Sequence, residues 1–341
     1  MGSVSGLLPR ATRVLGDPRL RIGLLIVVLG CCGYGLYAEW PQVVPALGRL
    51  RWYALALSLV AAMTGTTCQM LAWRTILADL GSPIPVRTAG RISFVAQLGK
   101  YVPGGVWAVA AQVELGHDYR IPRPRSLAAV LVSLIVTLGS GLAIALVTLP
   151  FVEPGLARHY WWVLAVVPLV GFALCPPVLG RLLRRGLALM RSQPLPAWPS
   201  WRGMGRALGW NLAGWLLLGT QVWLLVADMD GGRRASAVVA LGGYALAFSA
   251  GMLLVVVPSG IGAREVILAL ALTPVLPHGA AIAVVLTTRG ISTLSDVALG
   301  AVGTVAGRRR LARATPASLD SQQPTVPTVS VLSPAGRADE V

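Results

Sequence analysis

Five charged residues stand inside stretches that are otherwise apolar: Lys100, Arg264 and Arg289, with Glu265 and Asp296. Such groups can bind a phosphate or carboxylate, or carry a proton. They are costly in hydrocarbon unless a partner or a water-filled cavity holds them. Two of the positions adjoin breaks in the apolar pattern, Gly99-Lys100-Tyr101-Val102-Pro103-Gly104-Gly105 and Pro258-Ser259-Gly260-Ile261-Gly262-Ala263-Arg264-Glu265. Pro103 and Pro258 lack a backbone donor and clash with the preceding turn, which ends an entering helical limb. Gly104, Gly105, Gly260 and Gly262 permit a sharp reversal. A return limb starting at each glycine cluster presents unpaired amides and the positive end of its dipole, an arrangement suited to an anion. The expected substrate-binding set is therefore Lys100, Gly104, Gly105, Gly260, Gly262, Arg264 and Arg289. Glu265 and Asp296 are the candidates for ion coupling.

A structural alternative uses the same residues. The breaks can be interrupted structural helices whose charges pair internally, with Arg264 on Glu265 or Asp296. Glu265 in a first helical turn also stabilises the helix start by itself. Arg289 and Asp296, seven residues apart, share one helix face. Gln97 and Glu114 flank the first break and can serve the site or satisfy backbone groups.

The elements that must position these residues follow from composition. The chain has 341 residues, 55% hydrophobic and 12% charged. A soluble domain carries about 25% charged residues, and several runs of about 20 apolar residues mark a polytopic helical membrane protein. The expected fold is all-α, with about six full spans near 22–38, 52–77, 126–149, 160–179, 207–227 and 279–306. Two re-entrant or broken hairpins, about 86–115 and 235–274, complete it as a pseudo-inverted repeat. The uncharged stretch 236–257 is long enough to cross a bilayer, whereas 263–273 is not, which leaves the depth of Pro258 open.

Residues 1–21 read as a basic cytoplasmic N-terminus, 22–306 as the transmembrane domain and 307–341 as a disordered cytoplasmic tail rich in Pro, Ser and Thr. The first apolar run has no evident cleavage site and reads as a retained helix. Residues 181–190 resemble an interfacial amphipathic helix. Trp40, Trp52, Trp73, Trp161, Trp162, Trp198 and Trp201 cluster at helix ends as an interfacial belt.

Net charge is +16, with Lys100 the one lysine among 29 basic residues. In this setting the charge reads as cytoplasmic-loop arginines facing anionic lipid rather than nucleic acid. With both termini cytoplasmic, 22 basic residues fall inside and five (Arg49, Arg51, Arg158, Arg233, Arg234) outside. The two hairpins then enter from opposite faces. This is a multi-pass protein of a plasma (inner) membrane.

Signatures of other chemistry are thin. Cys31, Cys32, Cys68 and Cys175 lie in apolar runs without metal-ligand spacing, and read as buried thiols. His117, His159 and His278 are isolated. Gly99-Lys100 lacks the spacing and the following Ser/Thr of a phosphate-binding loop, and no nucleophile elbow occurs. No metal and no cofactor are expected.

The segment Gln97-Leu98-Gly99-Lys100-Tyr101-Val102-Pro103-Gly104-Gly105-Val106-Trp107 resembles the first signature of the lysylphosphatidylglycerol synthase transmembrane-region family. Pro258 to Glu265 resembles its second, and Arg289 in Thr287-Thr288-Arg289-Gly290 matches the arginine of its last helix. The likeness spans about 20–306. It implies two re-entrant hairpins meeting in a cavity, and a membrane region coupled to lipid flipping. Bifunctional members add a cytosolic domain that transfers lysine from tRNA to phosphatidylglycerol. This sequence does not contain that domain, so aminoacyl transfer is not carried over.

The function expected is a flippase-like transporter moving an anionic lipid or lipid-linked headgroup between leaflets. Its partners are membrane lipids with anionic or phosphate-bearing headgroups. No ATP-binding motif is visible, so movement is downhill or ion-coupled. One alternative is an accessory subunit presenting lipid to a separate transferase, so that a partner transferase or a homo-oligomer is the possible protein partner. Another is an integral-membrane lipid transferase, for which Glu114, Glu265 and Asp296 are the available acids.

Overall fold

A computed structural model describes residues 40–41, 43–101, 106–152, 168, 171–172, 174–189, 198–230, 234–253 and 262–314. The expected spans at 22–38 and 160–179 lie outside the described residues, apart from the end of the second, and so do the terminal segments 1–21 and 315–341.

Helix α1 (Trp52–Asp79) is followed by a turn in which Gly81 and Ser82 donate back to Ala78 and Leu77, both at 3.0 Å. These bonds satisfy carbonyls that a helix end would otherwise bury unpaired. Pro83 and Pro85 then prevent continuation, and α2 (Val86–Gln97) starts afresh. A 3₁₀ turn over Leu98–Tyr101 closes α2, and α3 (Trp107–Asp118) returns. Gly99 is needed here, because a Cβ would sit 2.9 Å from the Ala108 backbone nitrogen on the returning limb. Next come α4 (Arg123–Val152), α5 (Pro176–Leu189), α6 (Trp201–Asp230) and α7 (Arg234–Leu253). Short α8 (Ala263–Leu272) precedes α9 (His278–Ala314). The described residues contain no strand. Five helices, α1, α4, α6, α7 and α9, are long and apolar enough to cross a membrane.

Polar contacts at each end fix how these helices run. Helices α1 and α6 are antiparallel. The Arg51 N–H donates to Asp228 at 2.8 Å at one end, and Ser200 donates to Asp79 through its N–H (2.6 Å) and hydroxyl (2.7 Å) at the other. At the Asp79 end Arg125, on α4, donates to the Gly81 carbonyl and the Ser82 hydroxyl. Arg91 on α2 meets Tyr119, just past α3, at 2.7 Å. The first hairpin therefore enters and leaves at the Asp79 end. At the Arg51 end Ala280 and Ala283 of α9 pack against Val43, Ala46 and Met229.

Limbs α2 and α3 have 12 residues each, about 18 Å at 1.5 Å per residue, against a hydrocarbon thickness of about 30 Å. They are half-depth. The second break is asymmetric, because α7 has 20 residues and α8 only 10. Helix α7 runs antiparallel to α4, bringing Gly242 beside Thr148 and Ser249 beside Gly141. Gly141 lies about 27 Å along α4 from Arg123, while α7 has about 6 Å left after Ser249. The described part of α7 therefore ends, at Leu253, about 21 Å short of the level of Arg123 along α4.

Two apolar cores result. One joins α2 to the Asp79-end halves of α1 and α4, with Leu179 and Leu183 of α5. The other joins α7 and α8 to α6 and the first half of α9. Between them runs a polar seam. Asn211 donates to Thr137 at 2.9 Å and accepts from Ser140, which in turn accepts from the Trp215 indole at 3.0 Å. Helix α5 begins earlier than the expected amphipathic segment and buries Leu179 and Leu183 while exposing Arg181, Arg184 and Arg185.

Trp215 is fully buried at this seam, and a Cβ on Gly141 would lie 2.6 Å from its ring and 2.7 Å from the Ser249 hydroxyl. Gly141→Ala is expected to destabilise the protein by about 1–3 kcal/mol through overpacking. Gly205→Ala, with nothing within 4 Å of the added carbon, is neutral or slightly stabilising. Thermal unfolding in detergent distinguishes the two. Equal melting temperatures would refute the close α4–α6–α7 approach.

Candidate functional site

The described residues next to each break pack against the middle of α9. Leu98 packs on Gly300 from one side, while Arg264, Glu265 and Leu268 pack beside Val285, Thr288 and Arg289 from the other. Arg289 and Asp296 both lie in the middle third of the apolar stretch His278–Val305. A cavity of about 370 Å³ opens beside these residues. Lys100, Tyr101, Arg264, Arg289 and Asp296 line it, with Gln97, Ser292 and Thr293. Its opposite wall is built by Thr66, Gln69 and Trp73 of α1, Gln112 of α3, and Ser133 and Thr137 of α4.

Two ion pairs fasten the hairpins to α9. The Lys100 ammonium lies 2.6 Å from an Asp296 oxygen, and the Asp296 side chain is only 4% exposed. The Tyr101 hydroxyl donates to the same carboxylate at 2.6 Å, and Gln97 approaches its other oxygen at 3.5 Å. On the second hairpin Glu265 meets Arg289 at 3.5 Å. Its other oxygen accepts the Gly262 N–H at 2.7 Å, with Gly262 at φ 91°, a conformation that favours glycine. The start of α8 is thus partly capped by the protein's own carboxylate.

Arg264 is held differently. It donates to the Tyr244 hydroxyl at 2.6 Å, and its guanidinium lies 4.9 Å from the centroids of both Tyr244 and Phe248. Ring faces attract a cation without neutralising it. Among the described residues no carboxylate lies at ion-pair distance from Arg264. In their ordinary protonation states, three cations and two carboxylates leave the cavity with one excess positive charge.

Of the expected site residues, Lys100, Arg264, Arg289 and Asp296 come together at the cavity, and Glu265 and Gly262 stand at its edge. Gly104, Gly105 and Gly260, with Pro103 and Pro258, lie outside the described residues. Glu114 is exposed and paired to Arg123 at 2.9 Å, away from the cavity lining. Trp73, read from sequence as an interfacial residue, is instead 3% exposed and part of the cavity wall. Tyr244 and Phe248 were not anticipated. Their spacing of four on α7 is the available signal, and only the partner helix gives it meaning. Among the described residues no cluster of His, Cys, Asp and Glu could hold a metal ion.

The family described as the lysylphosphatidylglycerol synthase TM region matches residues 21–300. The chain belongs to this family. No curated protein matches the chain at a significant level. As a member of the lysylphosphatidylglycerol synthase transmembrane-region family, it is an integral, multi-span membrane protein. Gln97, Lys100 and Tyr101 from the first segment likened to that family, Arg264 from the second, and Arg289 all line the cavity.

Because Asp296 is buried, removing its cation strands a charge. Lys100→Met is expected to cost about 3–5 kcal/mol, whereas Lys100→Met with Asp296→Asn recovers most of that loss. A double-mutant cycle on thermal stability measures the coupling. Additive losses would contradict the pairing.

Proposed function

We propose that this chain is a flippase-like transporter that moves an anionic lipid, or a lipid-linked anionic headgroup, between leaflets. The supporting observation is the excess positive charge of a polar cavity at membrane depth, centred on an arginine with no carboxylate partner at ion-pair distance among the described residues. Positive charge held only by a hydroxyl and two ring faces stays uncompensated, which is costly at membrane depth. It becomes favourable when a phosphate enters. The cavity accommodates a headgroup while acyl chains remain in the bilayer.

Arg264 takes the phosphate first, with Lys100 and Arg289 completing the site among the described residues. Each ion pair joins a hairpin to α9, so an arriving anion competes with Asp296 for Lys100 and with Glu265 for Arg289. That competition lets either hairpin loosen, which is the local event alternating access requires. Proton uptake by the displaced Glu265 or Asp296 would couple the cycle to an ion. The charge distribution favours a plasma-membrane protein with both termini cytoplasmic; labelling of His278→Cys from outside only checks that orientation.

The experiment is scrambling of a fluorescent anionic phospholipid by the purified chain in liposomes. Arg264→Ala should slow it by at least about tenfold, the scale of a lost charge-assisted hydrogen bond, with thermal stability retained. Arg264→Glu should abolish it. Arg289→Ala should lower both rate and stability, because Glu265 is left unpaired. Normal scrambling by Arg264→Ala and Arg264→Glu would end the anion-cavity reading.

A further inference from the structure

We infer that α5 and the first turns of α6 form a second anionic-lipid site, on the surface of the bundle at the Asp79 end, that holds phospholipid phosphates of that leaflet outside the cavity. The inference does not depend on what the cavity carries.

Arginines cover the side of each element that the core leaves free. Leu179 and Leu183, four apart, sink into the core and fix the rotation of α5. Arg181, Arg184 and Arg185 share the opposite face, and all three are exposed, with Leu182 52% exposed beside them. On α6, Arg202 and Arg206 are exposed and one turn apart, next to Trp201 at 66% exposure. The Arg184 guanidinium lies 5.0 Å from the centroid of the Trp198 ring, and Trp198 packs on the same core as Leu183. That stack joins the two sets into one surface. A ring face orients a guanidinium without neutralising it, so its planar fork stays available for phosphate.

The protein supplies no counter-charge here. Residues 154–227 contain no Asp or Glu. Asp79, at the same corner, is engaged by the N–H and hydroxyl of Ser200. Among the described residues none of the five arginines lies at ion-pair distance from a carboxylate. Position identifies what carries the missing anion. Trp201 is the first residue of a helix long and apolar enough to cross a membrane, and Arg206 stands about 6 Å further along it than Arg202. An anion that contacts both reaches past the aromatic level toward hydrocarbon. A phosphate bearing acyl chains fits that position, whereas an acidic peptide or a nucleic acid stays in water.

The test adds headgroup-photoactivatable phosphatidylglycerol or phosphatidylcholine, separately, to the full chain in detergent, and maps cross-linked peptides by mass spectrometry. Phosphatidylglycerol should label peptides of 176–189 and 198–206 at least about tenfold above phosphatidylcholine, the scale of a charge-assisted hydrogen bond. Arg264→Glu, which removes the excess positive charge of the cavity, should leave that labelling unchanged. Arg181→Gln, Arg184→Gln and Arg185→Gln combined should cut it at least about tenfold, for the same reason. Equal labelling by the two lipids overturns the site, as does labelling confined to peptides that line the cavity. Loss of the 176–206 labels in Arg264→Glu, or their persistence in the triple variant, overturns it too. The comparison of the two lipids on the unaltered chain decides the matter even if a variant fails to fold.

Discussion

Two ion pairs on α9 fasten the helical limbs on either side of it. A hairpin that ends inside a bilayer leaves a charged tip and interrupted backbone where hydrocarbon cannot solvate them. Lys100 on Asp296 and Glu265 on Arg289 meet that demand from opposite sides, seven residues apart on a single helix. Because the tips must reach α9 to be neutralised, they must also reach each other's neighbourhood. The cavity is the space left where they meet, and the two apolar cores are the supports that bring each tip to it.

The same constraint explains the chemistry of the site. Four of the five charges are consumed in holding the architecture. Arg264 is the exception, held by a hydroxyl and two ring faces in place of a carboxylate. The polar seam of Thr137, Ser140, Asn211 and Trp215 extends from the cavity wall into the bundle, and its closed hydrogen bonds make that wall rigid. Rigid walls, fastened limbs and one cation without a carboxylate at ion-pair distance among the described residues support the proposed anion site.

Much of this was legible in the chain. Apolar runs give α1, α4, α6 and α9, and the paired proline–glycine breaks separate α2 from α3 and α7 from α8. Pairing was not legible. Arg289 and Asp296 share a face, yet each reaches a different hairpin, and Arg264 lies next to Glu265 without pairing to it. Helical period places residues on faces but says nothing of which neighbouring helix fills the space. For the same reason Trp73 reads as interfacial from its position near a helix end, and only the packing of α2 and α4 around it shows it to be buried. The level of the second break also needed the fold, because only the alignment of α7 with α4 places Leu253 along the bundle.

The central claim is a hydrated cavity of positive potential at the meeting of the two hairpins. It is tested most directly by placing one cysteine there, Ser292→Cys, in a chain whose Cys31, Cys32, Cys68 and Cys175 have been replaced by serine or alanine. Reaction rates are compared for a negatively charged and a positively charged methanethiosulfonate of similar size. The account predicts faster modification by the anionic reagent, with the preference lost in Arg264→Ala. Faster modification by the cationic reagent, or none by either, would contradict it.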